Sequence, residues 1–227
     1  MLLLSVDTSG KDGSLTLARV VSGQTEIDIV EVVPLTGGAF SAQLVPEIAA
    51  LLENHGHSKR DLGAFAVVSG PGSFTGLRVG LAAIKGLAEA LEKPIAAVSL
   101  LEAVARGSAS LDRVLAILDA GRSDVYVGDY DLGSQLSVPS ERLLGRGELF
   151  AEAKSQSSAR LVVTPDAALA EALVAAGIRV ELIEYPSSAV IARLGWEHLQ
   201  HGQIVRPEDL EANYIRRSDA EIFAKPR

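Results

Sequence analysis

The sequence predicts an α/β protein built as two related halves, each with a mixed β-sheet covered by helices. The order of predicted elements is repeated, because each half reads as three strands, a helix, a strand, a helix, a strand and a helix. Short turns join the first three strands of each half, which predicts antiparallel pairing. The later strand–helix–strand crossovers imply parallel pairing with right-handed connections. Two mixed sheets, each covered by helices, therefore follow from the pattern.

A small, polar run at 107–110 marks the expected boundary between the halves. We therefore expect an N-terminal lobe over residues 1–107 and a C-terminal lobe over 108–227, the latter including the last helix and the tail. A chain of 227 residues is long enough for two compact lobes of this size.

Apolar patterning places the elements of the first half. Strands are predicted at 2–6, around Leu15 and Leu17, around Ile27 and Ile29, at 64–68 and at 94–98. A helix capped by Ser41 is predicted after the glycine pair at 37–38, and a short helix is predicted after Ser99.

The second half repeats this order with weaker signals. Strands are predicted at 114–118, 125–130, 136–138, 161–163 and 178–183. Helices are predicted at 149–154, after the Thr164-Pro165-Asp166 start, and from about 188 to 201.

The stretch from 69 to 91 organises the first half, because a glycine-rich loop leads there into a helix rich in small residues. Gly70 and Gly72 allow unusual backbone angles, and Ser73 or Thr75 is a natural N-cap. Exposed amides at a helix start favour phosphate, so an anion site is one explanation. A tight turn feeding a closely packed helix is the other, and it is favoured because stripes of small residues mark close helix contacts more often than ligand sites. The Gly-Lys-Ser/Thr ending of a P-loop is also missing.

Small residues occupy two sides of this helix. Gly76, Gly80, Ala83 and Ala90 share one side, and Ala82 and Gly86 share another. Glycine costs about 1 kcal/mol relative to alanine in a helix interior, so several glycines indicate close packing. One side is expected to cover the protein's own sheet, and the other to meet a partner.

Composition excludes several function classes. A formal net charge of −8 makes the isolated chain a poor candidate for holding nucleic acid by counterion release. The absence of cysteine excludes disulfides, thiolate chemistry and Cys-ligated zinc. The opening M-L-L-L-S-V-D predicts a strand rather than a signal peptide, and no apolar run reaches the ~20 residues of a membrane span. We expect a soluble cytoplasmic protein with no membrane contact.

Catalytic constellations of the common kinds are missing from the sequence. The pairs His55/His57 and His198/His201 lack the spacing of a metal motif, so no metal site is predicted. Ser69 and Ser73 lack the G-x-S-x-G context of an activated nucleophile, and caps or turns explain both. No catalytic residue is therefore assigned.

The run G-P-G-S-F-T-G-L-R at 70–78 resembles the signature of the TsaB family, bacterial subunits of the machinery that makes threonylcarbamoyladenosine in tRNA. The segments L-S-V-D-T-S at 4–9, L-D-A-G-R-S-D-V-Y at 118–126 and N-Y-I-R at 213–216 are similar to other parts of that family. The resemblance covers nearly the whole chain. One departure is Phe40-Ser41, which stands where the family's first long helix usually opens with His-Ser.

The resemblance implies the actin-like ATPase fold, in agreement with the repeated element order. It also implies a non-catalytic subunit that binds TsaD, which carries the metal and transfers threonylcarbamoyl from an adenylate to adenosine beside the anticodon. The ATPase TsaE joins the two. ATP and metal are then expected in the partner subunits, with no cofactor bound tightly by this chain. The chain is expected to reach tRNA through the complex, and to form a homodimer when TsaD is absent.

The expected contact surface combines the helix from Ser73 with the helix from Ser41, in a helical bundle with the matching helices of TsaD. Arg78 follows the glycine-rich turn on an apolar helix, so a partner carboxylate or a local acid is expected beside it. The residues assigned to partner binding are Leu44, Ile48, Ser73, Phe74, Gly76, Arg78, Gly80, Ala83 and Gly86.

A vestigial nucleotide cleft is the remaining site hypothesis. Asp7 is placed like the strand acid of an actin-like ATPase, but the turn after Asp119 offers one glycine, and the strand ending at Val163 meets Thr164-Pro165 rather than a glycine pair. The candidate cleft residues are Asp7, Thr8, Asp119 and Arg122, for which local turn hydrogen bonds are an equal explanation. The alternative function is an actin-like small-molecule kinase or ATPase, and nucleotide binding by the chain alone separates the two.

Overall fold

The computed structural model describes residues 1–21, 26–133, 140–155 and 160–216, which form two compact units. The first unit joins Met1–Leu100 to Pro186–Ala212, and the second joins Leu101–Tyr185 to the described residues from Asn213 onward. The predicted lobes, 1–107 and 108–227, differ from these units in two respects. Residues 101–107 lie with the second unit. The last helix lies with the first unit, because it packs on the first sheet.

The first unit contains a five-stranded mixed sheet with the order β3-β2-β1-β4-β5. Strands β1 to β3 pair antiparallel, and β4 and β5 extend β1 in parallel, as the connection lengths predict. The strands are β1 (Leu2–Asp7), β2 (Gly13–Val20), β3 (Ile27–Leu35), β4 (Leu62–Gly70) and β5 (Ile95–Ser99).

Three helices cover this sheet from its two faces. Helices α1 (Phe40–Asn54) and α2 (Phe74–Leu91) pack against each other, and α6 (Ser188–Gln200) packs across β1, β2, β4 and β5. Gly13 lies beneath the ring of Phe40, whereas Ser14 accepts the backbone N–H of Ser188. Neighbouring strand residues point to opposite faces, so α1 and α6 lie on opposite sides of the sheet.

The second unit repeats this topology. Its sheet has the order β10-β9-β6-β7-β8, with antiparallel β6 to β8 and parallel β6, β9 and β10. The predicted fold class, two mixed sheets of the actin-like type, is confirmed. The strands are β6 (Arg113–Gly121), β7 (Asp124–Asp131), β8 (Ser140–Gly145), β9 (Leu161–Thr164) and β10 (Val180–Leu182).

Helices α3 (Leu100–Arg106), α4 (Arg146–Ser155) and α5 (Ala167–Ala175) complete the second unit. Apolar side chains of α4 and α5 close its core over β6, β7 and β9. Gly128 of β7 leaves room for Leu101 of α3. The main members of the core are Leu115, Ile117, Val125, Val127, Leu149, Val162, Leu169, Leu173 and Ile178.

Two local predictions concern the third strand of the second sheet and the start of α1. The predicted strand at 136–138 lies outside the described residues, and the third strand of this sheet, β8, is found at Ser140–Gly145. The predicted cap at Ser41 is wrong. Helix α1 begins at Phe40, two residues earlier than a cap at Ser41 implies, with Ala39 at the N-cap position and no side-chain cap, because Phe40 is buried as the first helical residue. Among the described helices, none is long and apolar enough to cross a membrane.

A buried hydroxyl pair joins α6 to the first sheet, and it can be tested by a double-mutant cycle. Thr16 Oγ1 lies 2.7 Å from Ser188 Oγ, and both residues are fully buried. We expect Thr16→Val to lower the free energy of unfolding by about 1–3 kcal/mol, because Ser188 Oγ loses its side-chain partner. The double variant Thr16→Val/Ser188→Ala should lose less than the sum of the single changes, as measured by urea denaturation. Strictly additive losses would show that the pair contributes no coupling.

Candidate functional site

The loop after β1 lies directly beneath the glycine-rich loop that leads into α2. The backbone N–H of Ser73 donates to the Ser9 carbonyl at 2.7 Å, and Thr8 Oγ1 donates to the Gly76 carbonyl at 2.7 Å. Ser73 is also the N-cap of α2, since its hydroxyl accepts the N–H of Gly76 at 3.3 Å. These hydrogen bonds join the loop after β1 to the start of α2. The structure therefore agrees with the packing explanation of the loop.

The glycines of this region provide space where the two loops meet. A Cβ atom at Gly72 would lie 2.6 Å from the Ser9 carbonyl, and one at Gly76 or Gly80 would overlap Thr8. Gly70 alone in this loop needs an unusual backbone angle, with φ +137°. The prediction that Gly72 also needs an unusual backbone angle is wrong. Gly72 instead lacks a side chain where Ser9 approaches closely.

The two small-residue sides of α2 are thereby distinguished. Gly76 and Gly80 are buried against the protein's own first loop, whereas Gly86 is exposed and a Cβ there would meet no atom within 4 Å. Ala82 is exposed as well, and Ala83 is half-buried. The side of α2 with Ala82 and Gly86 is therefore the one available to another molecule.

Alanine substitutions at two glycines of α2 should have opposite effects. Gly80→Ala should lower the free energy of unfolding by about 1–3 kcal/mol, because the new methyl overlaps Thr8 Oγ1. Gly86→Ala should raise it by about 0.5–1 kcal/mol, because the exposed helix gains a better helix former. Thermal and urea denaturation measure both changes. Equal destabilisation by both would show that Gly86 also packs internally.

Asp7, the first predicted cleft residue, is buried with 2% of its surface exposed. Its carboxylate accepts the backbone N–H of Ser9 at 2.8 Å and the Ser9 hydroxyl at 2.5 Å. Burial raises the pKa of Asp7 above the ordinary value of 3.8, and the two hydrogen bonds from Ser9 oppose that rise. Asp7 and Thr8 are thus held by contacts inside the first unit.

Replacing Asp7 by asparagine should stabilise the protein at neutral pH. Because burial raises the pKa of Asp7, the protonated form favours folding below pH 3.8, and this contribution is lost as the pH rises through the raised pKa. Asparagine carries no charge and still accepts from Ser9. We expect Asp7→Asn to exceed the parent in stability at pH 7, with a difference that shrinks towards pH 3.8 in a denaturation series. A variant less stable than the parent at pH 7 would contradict this.

The other two cleft residues, Asp119 and Arg122, belong to the second unit and lie at the β6–β7 hairpin. Asp119 forms an ion pair with Arg146 at 2.9 Å. Arg122 lies between Gly121 and Ser123, and all three residues have left-handed backbone angles, with φ between 54° and 71°. The sequence predicted the turn but not this run of three.

Two arginines hold this hairpin, and sequence reasoning assigned neither of them a role. The backbone N–H of Arg146 donates to the Ser123 carbonyl at 2.9 Å, and the Arg146 guanidinium donates to Asp119. Arg216 donates to the carbonyls of Ala120 and Gly121 at 2.9 and 3.3 Å and forms an ion pair with Asp124. Arg216 ends the N-Y-I-R segment quoted above, which was the available signal. The bonds that the two guanidinium groups donate are charge-assisted, and they stabilise the hairpin.

The outer surfaces of α1 and α2 form one exposed face. Both helices lie on the same side of the first sheet and pack against each other, so their exposed stripes are adjacent. Val45 is 61% exposed and Phe74 is 40% exposed. The guanidinium of Arg78 lies 3.7 Å from the centre of the Phe74 ring. We define the α1–α2 face as Ala42, Val45, Ala49, Phe74, Arg78, Ala82 and Gly86.

The residues predicted to bind a partner fall into two groups in the structure. Ser73, Phe74, Arg78 and Gly86 are exposed, and Ala83 is half-buried. The others, namely Leu44, Ile48, Gly76 and Gly80, are buried within the first unit. This second group supports α1 and α2 from inside and does not reach the surface. For the first group, contact with a partner stays a prediction.

The remaining candidate groups have local contacts. Ser69 Oγ donates to the Val98 carbonyl at 3.3 Å, His55 pairs with Glu31 at 2.7 Å, and His201 Nδ1 lies 2.8 Å from the Glu197 carbonyl. Among the residues that the structure describes, no group of three or more His, Cys, Asp or Glu side chains is arranged to hold a metal ion.

The chain is similar in sequence to several known proteins. A family model described as "TsaD: tRNA N6-adenosine threonylcarbamoyltransferase" matches residues 32–144. The "tRNA threonylcarbamoyladenosine biosynthesis protein TsaB" of Escherichia coli is 30% identical over 97% of this chain and 96% of its own length. The protein of the same description from Bacillus subtilis is 34% identical over 63% of this chain and 62% of its own length.

Solved structures agree in fold. A structure titled "YeaZ from Pseudomonas aeruginosa" superposes with a TM-score of 0.73 at 24% identity, and covers 94% of this chain and 99% of that one. A second, titled as an uncharacterized protein with similarity to peptidase YEAZ from Pseudomonas aeruginosa, has a TM-score of 0.73 at 26% identity. It covers 95% of this chain and 99% of that one.

Proposed function

The chain belongs to the TsaB family of tRNA threonylcarbamoyladenosine biosynthesis proteins, and from this membership we propose that it is a non-catalytic subunit that binds and supports the catalytic subunit TsaD. It therefore takes part in tRNA modification. The subunit acts by holding TsaD in a competent shape, and the α1–α2 face is the contact surface.

The observation that carries this proposal is the composition of the α1–α2 face. Its centre, formed by Val45, Ala49, Ala82 and Gly86, is exposed, apolar and small. Small side chains let a partner helix approach closely, and an exposed apolar surface gains free energy when a partner covers it. The stacked Phe74–Arg78 pair at one end supplies the aromatic and arginine side chains that dominate many interfaces.

The contacts of the predicted cleft residues support a non-catalytic role. Asp7 is buried and bonded to Ser9, and Asp119 is paired with Arg146. The carbonyls of Ala120 and Gly121 accept from Arg216. An actin-like ATPase needs its strand acids to be open to magnesium, whereas here Asp7 accepts from Ser9 and Asp119 pairs with Arg146.

The partner set follows from the same membership. TsaD contributes the metal and the transfer chemistry, and TsaE joins as the ATPase of the complex. With a formal net charge of −8, this subunit meets tRNA through the complex rather than alone. When TsaD is absent, the α1–α2 face favours a homodimer, because the same apolar surface is then uncovered.

Co-purification with TsaD, with and without ATP, tests the proposal. We expect Gly86→Leu to retain the parental melting temperature and to lower the affinity for TsaD about ten- to hundredfold, because a leucine at the exposed glycine separates the closely packed helices. The control is Ala172→Leu, a change at an exposed small residue of α5, and this variant should bind TsaD normally. Calorimetric titration and thermal denaturation supply the two measurements.

Normal TsaD binding by Gly86→Leu would place the interface elsewhere.

The alternative function, an actin-like small-molecule kinase or ATPase, makes a different prediction. The purified subunit would then bind and turn over nucleotide, and Asp7→Ala would abolish that turnover. We expect no turnover by the purified subunit.

A further inference from the structure

The second unit has an apolar groove between α5 and β10, distant in sequence from the α1–α2 face. Its volume is about 430 Å³. Ala170 and Val174 of α5 line one wall, and Val180 and Leu182 of β10 line the other. Among the described residues that line the groove, Glu171 is the charged one.

The walls of this groove are unusually apolar for an outer surface. Val174 is 59% exposed and Leu182 is 55% exposed. Helix α5 reads A-A-L-A-E-A-L-V-A, so its solvent side carries alanines where an outer helix normally carries charges. Exposed apolar surface that is concave and rimmed by a carboxylate is typical of an interaction site.

The β10 side of the groove is also the end of a sheet. Within the described part of the chain, β10 pairs with β9 and has no strand on its other side. The Arg179 carbonyl and the Ile183 N–H each form a hydrogen bond of 3.0 Å with the backbone of β9. Backbone groups alternate along a strand, so those of Val180 and Leu182 point away from β9. They form a template for an added strand.

The charged side chain of β10, which could protect this sheet edge, points away from the groove. Charged side chains commonly guard open edges. The charged residue of β10, Glu181, accepts hydrogen bonds from Ser108 Oγ and the Ala109 N–H on the opposite face of the sheet. Those bonds also fix β10 in place. The edge is therefore fixed, and among the described residues Glu171 is the charged one that lines the groove on the α5 side. A fixed edge lowers the entropic cost of adding a strand.

We propose that this groove binds an extended segment of a partner protein, added as a strand to β10. Its apolar side chains lie between Val174 and Leu182, and a lysine or arginine faces Glu171. The single carboxylate in an apolar groove selects a basic residue by charge complementarity. A second copy of this chain is a poorer occupant, because its formal net charge of −8 matches the sign of the groove.

Peptide selection on the full-length protein tests this proposal. Short random peptides displayed on phage should yield binders that alternate apolar residues and carry a lysine or arginine. For one such peptide, Val174→Lys should weaken binding at least about tenfold in a fluorescence anisotropy titration. The matched control is Ala172→Lys, an exposed position two residues away on α5 that does not line the groove, and its affinity should match the parent.

The basic residue is tested separately. Glu171→Gln should lower the affinity for a lysine-containing peptide. It should leave unchanged the affinity for the same peptide with methionine at the lysine position. Equal effects of Val174→Lys and Ala172→Lys would overturn the proposal, as would enriched peptides that lack a basic residue. A dimer of the parent protein that Val174→Lys dissociates in sedimentation would also overturn it, because the occupant would then be a second copy.

Discussion

Close contact between Thr8 and helix α2 is the constraint on which the first unit depends. The Thr8 hydroxyl donates to Gly76, and Gly76 and Gly80 leave the space that the Thr8 backbone and side chain fill. Because these atoms fix α2 against the end of β1, they also set the position of α1, which packs on α2. The exposed face formed by α1 and α2 is therefore positioned by a contact that is buried inside the first unit.

Much of the fold follows from periodicity and turn length. The repeated order of strands and helices predicted both sheets, because short turns and helical crossovers leave few choices of strand direction. Packing over long sequence distances was not predictable in this way. The placement of α6 on the first sheet depends on Thr16 and Ser188, which are 172 residues apart and carry no local signal of their pairing. The start of α1 was missed for a related reason, since the burial of Phe40 outweighs the capping preference of Ser41.

The sequence identified the elements of the candidate site more reliably than the orientation of their residues. Spacing separated the two sides of α2, but only the contacts of Thr8 show which side is internal. Leu44 and Ile48 were assigned to the surface and lie in the core, because an amphipathic stripe identifies a buried face without saying what buries it. Arg146 and Arg216 hold the β6–β7 hairpin from positions distant in sequence, and a distant ion pair leaves no spacing pattern to recognise.

The return of residues 186–212 to the first unit has a consequence for biosynthesis. One face of the first sheet is covered by α6, which a ribosome makes after every strand of both sheets. Until then, the nascent first sheet lacks the cover that buries residues such as Ala66 and Ala96, against which Gly195 packs. The sheet and covering helices of the second unit are contiguous from Leu101 to Tyr185, so they can assemble before α6 is made, and the segment from Asn213 onward joins that unit later. The sheet of the second unit can thus be covered by its helices before the sheet of the first unit, although the first sheet is made earlier.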